Sequence, residues 1–300
     1  FFFGVSIILS LSISFNFINT LFLTVIQAKG QFLKFSLSSI VNSSIFTALV
    51  FPFIALFSII GLALSRFFGA LVITIAFIFP LKKELRGQGL IIEKSDFNFP
   101  TLILGNFVNI ILISSRFIAG ADGSNSITYF MYAVVVLNTL LTSVVANIST
   151  ITLRNFSIKK NTRMMIISLI ISILVGLLMI IVFYSFGYQI IDIIYVRGAF
   201  NTFDAIQTSD YLYKLSYSFV CLFVATALFQ PFLSLSINET KKERSYLVIV
   251  FILTIIISSL VVLSISITPI YRTVIVMTIS SLVSVLLAAY SYYKYLNYEN

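Results

Sequence analysis

Three cations stand inside long apolar stretches of this chain: Arg66 in LALSRFFGA, Arg116 in ISSRFIAG and Lys214 in SDYLYKLSY. An Arg near the middle of a bilayer costs roughly 2.5–3.5 kcal/mol on insertion scales, so a partner, water or a ligand must compensate it. Arg66 has two readings, a cavity cation for an anionic headgroup or a side chain that snorkels or caps another helix's carbonyls. Arg116 lies three residues before Ala119 and is expected to snorkel to the outer surface, with substrate contact as the alternative. Lys214 has Asp210 four residues earlier on the same helical face, which predicts a local ion pair.

The uncharged polar candidates are amides and hydroxyls. Asn16, Asn19, Asn42, Asn106, Asn109, Asn138 and Asn147 all fall within apolar runs, and Ser126 opens another, SITYFMYA. Such groups hydrogen-bond between helices at about 0.6 kcal/mol each, or else meet a polar ligand. Arg197 belongs to the polar segment YVRGAFNTFDA, where it would meet an anionic group or pair with Asp192 or Asp204.

Other chemistry is scarce. Histidine is absent and cysteine occurs once, at Cys221, which removes the commonest general base, the commonest metal ligand and any intrachain disulfide. No GxxxxGK[ST] loop is present, so an ATP-driven pump is disfavoured. GADGS at 120–124 carries a single carboxylate and reads as a tight turn. No enzyme activity, cofactor or metal is expected.

These residues must be carried by membrane helices. The chain is 59% hydrophobic and 10% charged, against about 45–50% and 25% in soluble domains. Its apolar residues form runs of bilayer-spanning length that are apolar all round, which implies helices rather than barrel strands. Nine runs are expected, at 6–26, 36–53, 57–80, 100–119, 126–149, 164–186, 209–237, 246–267 and 272–296.

The polar connections alternate sharply in charge. One set holds Lys29 and Lys34; Lys82, Lys83, Arg86 and Lys94; Arg154, Lys159, Lys160 and Arg163; Lys241, Lys242 and Arg244; and Lys294. The other holds only Arg197 and Arg272. The positive-inside rule then puts the first residue outside and the last inside. This bias accounts for the net charge of +9, so no nucleic-acid partner is invoked. The long inner connection divides the chain into helices over 1–80, a linker at 81–99 and a six-helix lobe over 100–296. On the outer side, 187–207 is the long connection, with 190–197 expected to lie flat at the interface and Tyr195 as its anchor. The opening FFFGVSIILS has no basic n-region, so no signal peptide is expected there.

YVRGAFNTFDAIQT, at 195–208, resembles the segment before the tenth helix of the MurJ/MviN family of lipid II flippases. VIQAKGQF with SSIVNSS, FPLKK, and SNSITYFMYA resemble that family's fourth-to-fifth helix link, sixth-helix end and eighth-helix start. The order of these segments maps the chain onto helices four to twelve of a two-lobe exporter fold, without counterparts of the first three. Tyr132 and Ala133 fall where the family has a membrane-embedded Asp-Arg pair. The resemblance implies an all-α flippase in the cell membrane that moves a polyprenyl-pyrophosphate-linked glycan by alternating access, with Arg66, Arg116, Arg197, Asn42 and Ser126 as candidate contacts and membrane lipids as neighbours. The alternatives are a small-molecule antiporter of the same superfamily, for which buried acids are wanting, a membrane enzyme of glycan assembly, and a nonfunctional fragment.

Overall fold

A computed structural model describes residues 2–28, 38, 41, 44–45, 48–50, 52–53, 55–57, 59–78, 99–121, 125–145, 148–149, 162–196, 200–234 and 237–299. Among these, all regular structure is helical. The chain forms two units, Phe1–Ile92 and Glu93–Asn300.

In the first unit α1 (Phe2–Ala28) packs on α2 (Ile59–Ile73), which continues as a π-turn over Thr74–Ile78. The face of α2 that meets α1 carries Ala70, whose carbonyl is bonded from α1, and Ala63 two turns earlier, both small and buried. Without a hydrophobic drive between helices in lipid, such packing and interhelical hydrogen bonds supply the association. Asn19, 4% exposed, provides the bonds. Its Nδ2 donates to the Ala70 carbonyl at 2.8 Å, and its Oδ1 accepts from Thr74 Oγ1 at 2.8 Å. Most of the expected second run lies outside the described residues.

The second unit begins with α3 (Phe99–Gly105) and α4 (Phe107–Gly120), which meet at a bend of 71°. Next comes α5 (Ser126–Leu140), extended by a π-turn over Leu141–Val145. It is followed by α6 (Thr162–Tyr195), α7 (Thr202–Ser234), α8 (Ile237–Ser264) and α9 (Pro269–Glu299). Four of these, α6 to α9, are long and apolar enough to cross a membrane, or five if the bent pair α3–α4 counts as one span. This is a helical membrane protein.

Helix α7 is the centre of that unit, packed against α5, α6 and α9. Its apolar window is 61% buried, against 28% to 44% for the other three long helices. Buried serines on α9, at 280, 281, 284 and 291, keep side chains small there, and Ser218 of α7 bonds Thr278 of α9 at 2.8 Å.

The outer connection differs from its expected form. Instead of a segment lying flat at 190–197, α6 runs unbroken to Tyr195 and α7 starts at Thr202. At 1.5 Å per residue the 34-residue α6 is about 51 Å long, well beyond the roughly 30 Å hydrocarbon core. The polar residues beyond the apolar run are therefore a helical hairpin. Its tip is closed by a reciprocal cap: the Asn201 N–H donates to Asp204 Oδ2 and the Asp204 N–H to Asn201 Oδ1, both at 3.0 Å. Tyr195 packs against Tyr132 and Phe200 rather than anchoring alone at headgroup level.

Candidate functional site

The bend between α3 and α4 comes from a local exchange of hydrogen bonds. The Asn106 N–H turns to the Ile103 carbonyl at 3.1 Å, and the Asn106 side chain serves the Leu102 carbonyl at 2.9 Å in its place. A glycine precedes it; Gly105 has open space where a Cβ would stand. Breaks of this kind inside membrane helices are tolerated where side chains satisfy the freed groups.

Both sides of the break are anchored. Phe107, the first residue of α4, packs its ring 5.2 Å from Phe229 of α7 and 6.5 Å from Phe251 of α8. Arg244 of α8 is fully buried and reaches α3. Its Nη1 donates to Thr101 Oγ1 at 2.7 Å, its Nε to Thr240 Oγ1 at 2.7 Å and its Nη2 to the Phe232 carbonyl at 3.3 Å, with the Phe232 ring 5.5 Å away. Five donors in a rigid fork let one side chain tie three helices.

Beside the break lies a pocket of about 240 Å³. Gly105 and Asn109 line one side, Asn138 and Thr142 come from α5 and its π-turn, and Thr226 comes from α7. Leu104, Phe107, Leu141 and Phe229 form its apolar walls. Broken helices and π-turns recur at functional sites in membrane and soluble proteins alike. A second, larger cleft of about 510 Å³ separates α5 from α6 and is lined almost wholly by aliphatic and aromatic side chains, from Val175 at one end to Tyr195 at the other. The two cavities flank opposite faces of one turn of α5, since Val136, Thr139 and Leu140 face the cleft while Asn138, Leu141 and Thr142 face the pocket.

No family model matches the chain, and no curated protein matches it.

The residues singled out from sequence do not gather at one point. Asn42 and Arg197 lie outside the described residues. Arg66 sits mid-way along α2 in the first unit, on an exposed face. Ser126 is half-buried at the start of α5. Arg116 is half-buried near the C-terminal end of α4, and its Nε is enclosed with no hydrogen-bond partner among the described residues. Asp204, expected beside Arg197, is engaged by the helix cap and accepts a further bond from Tyr129 at 3.0 Å. Lys214 pairs with Asp210 at 2.6 Å and lies 4.4 Å from the centre of the Tyr271 ring.

Sequence reasoning missed the clamp. Arg244 was grouped with Lys241 and Lys242 as a loop cation, yet all three belong to α8 and Arg244 is buried. The spacing Thr240 to Arg244 is a helical i, i+4 pair and carried the signal. Among the described residues no group of three His, Cys, Asp or Glu could hold a metal ion.

Proposed function

We propose that this chain is part of a membrane transporter that moves a lipid-linked anionic glycan precursor across the cell membrane by alternating access, the activity implied by its resemblance to the MurJ/MviN flippases. In this reading the chain crosses the membrane nine times in two lobes, carries out no reaction chemistry, and uses neither cofactor nor nucleic acid. The observation that carries it is the amide-lined pocket at a broken membrane helix. Polar groups and irregular backbone at membrane depth are costly unless they line a cavity, and transporters place their substrate sites at such breaks. The half-buried guanidinium of Arg116, whose Nε has no hydrogen-bond partner among the described residues, supports a cation held ready for an anionic group.

The test is transport in reconstituted vesicles. A polyprenyl-pyrophosphate disaccharide with a fluorescent sugar is placed in one leaflet, and its exposure to an impermeant quencher is followed. The protein is expected to speed exchange, with Arg116→Ala and Arg66→Ala each slowing it about tenfold or more, the scale of one lost charge-assisted bond. Exchange no faster than in protein-free vesicles would overturn the reading.

A further inference from the structure

The hydroxyls of the polar pocket have each spent their only proton. Thr142 Oγ1 donates to the Asn138 carbonyl at 2.8 Å, and Thr226 Oγ1 to the Leu222 carbonyl at 2.7 Å, so each bonds back into its own helix. A threonine hydroxyl has one donor and two acceptor lone pairs, so what these two offer to the pocket is lone pairs. Asn109 and Asn138 add amide groups that both donate and accept. Among the described residues no charged side chain lines the pocket, and the remaining walls are apolar.

An anion entering this space would meet the lone pairs of two threonines and only the amide N–H groups of Asn109 and Asn138 as donors, with no cation among the described lining residues to offset its lost hydration. A neutral group rich in O–H and N–H would instead find acceptors already oriented by the helices. Size points the same way: about 240 Å³ far exceeds the roughly 30 Å³ occupied by one water, so the pocket suits a polar group of several atoms better than a bare ion.

We propose that this pocket is a subsite for an uncharged, hydroxyl-bearing group, a sugar ring of the transported headgroup, and that the phosphates are bound elsewhere. The proposal rests on the transport reading above and divides the headgroup between a neutral subsite and a separate cationic one.

The protein in phosphatidylcholine nanodiscs is tested for equilibrium binding of two radiolabelled probes with the same short isoprenoid tail, a neutral glucoside and a phosphate monoester. Thr226→Val removes the hydroxyl at constant shape, and Asn138→Leu removes an amide. Each is expected to weaken glucoside binding by about tenfold or more while phosphate binding stays within about twofold, and Thr226→Ser is expected to restore the glucoside. Equal losses for both probes, or no loss for the glucoside, would overturn the subsite. So would sodium binding that Thr226→Val abolishes and that competes with the glucoside, because the lone pairs would then belong to a cation site. Glucoside binding with the expected pattern, in a protein that moves no lipid-linked glycan in vesicles, would leave the subsite standing and sink the transport reading.

Discussion

Gly176 of α6 and Val220 of α7 meet with no room for a β-carbon: one built on Gly176 stands 2.9 Å from Val220 Cγ2 and 3.0 Å from Cγ1. Valine is branched at Cβ and stiff about χ1, so it has little freedom to retreat. Gly176→Ala is therefore expected to cost about 1–3 kcal/mol, the range for forcing one methyl into a packed contact. Val220→Ala in the same chain should return much of that stability. Unfolding of the single and double variants in mixed micelles reads the coupling, and strict additivity would show that the contact is looser than described.

The Arg244 clamp predicts an asymmetry between two variants. Thr101→Val keeps the shape of the α3 residue and removes the acceptor 2.7 Å from Arg244 Nη1, at about 1–3 kcal/mol. Arg244→Lys keeps a charge but loses the fork that reaches three acceptors at once, and should cost more. Thermal melting in detergent compares them. A lysine variant as stable as wild type would mean that charge alone, not the planar fork, holds α3.

The helical membrane class of this fold was legible because the apolar runs are long and apolar all round, and only helices satisfy their own backbone in lipid. The break at Asn106 was not legible. A single asparagine within an apolar run reads as an interhelical bond, and only the exchange of its main-chain and side-chain bonds with Ile103 and Leu102 shows the bend. The α6–α7 hairpin reads in sequence as a connection because its polar residues signal helix ends, whereas a helix packed on protein continues beyond the hydrocarbon core. The capping-box spacing in Asn201-Thr-Phe-Asp204 marked the true start of α7. At the polar pocket, Asn109 and Asn138 were legible as amides within apolar runs, but the protons of Thr142 and Thr226 are committed by helix geometry that appears only in the fold.

In the first unit, Asn19 both donates and accepts across α1 and α2. Asn19→Leu removes both bonds at similar volume, while Asn19→Asp keeps an acceptor for Thr74 but brings a carboxylate up to the Ala70 carbonyl. The leucine variant is expected to lose about 0.6–1.7 kcal/mol, the measured span for interhelical bonds in a membrane bundle, and the aspartate variant more, because its charge must be buried or protonated. Proteolysis rates of the α1–α2 unit in micelles rank the three proteins. A leucine variant more resistant than wild type would show that packing of the small residues alone holds these helices.

Topology gives the last prediction. Lys160 belongs to the basic connection before α6, and Asn201 lies at the exposed tip between α6 and α7. The 34 residues of α6 stand between those two connections, and its length of about 51 Å is more than enough to cross a hydrocarbon core of roughly 30 Å. The excess of Lys and Arg before α6 predicts a cytoplasmic position for that end. Single cysteines at Lys160→Cys and Asn201→Cys, each in a Cys221→Ser background, should therefore react with an impermeant maleimide from opposite sides of intact cells. Asn201→Cys is expected to label directly and Lys160→Cys only after the membrane is opened. Direct labelling of both would mean that α6 does not cross the bilayer, and the alternation of basic and neutral connections would need another cause. Direct labelling of Lys160→Cys alone would keep the span and invert the orientation, placing the Asn201–Asp204 tip and its contact with Tyr129 in the cytoplasm.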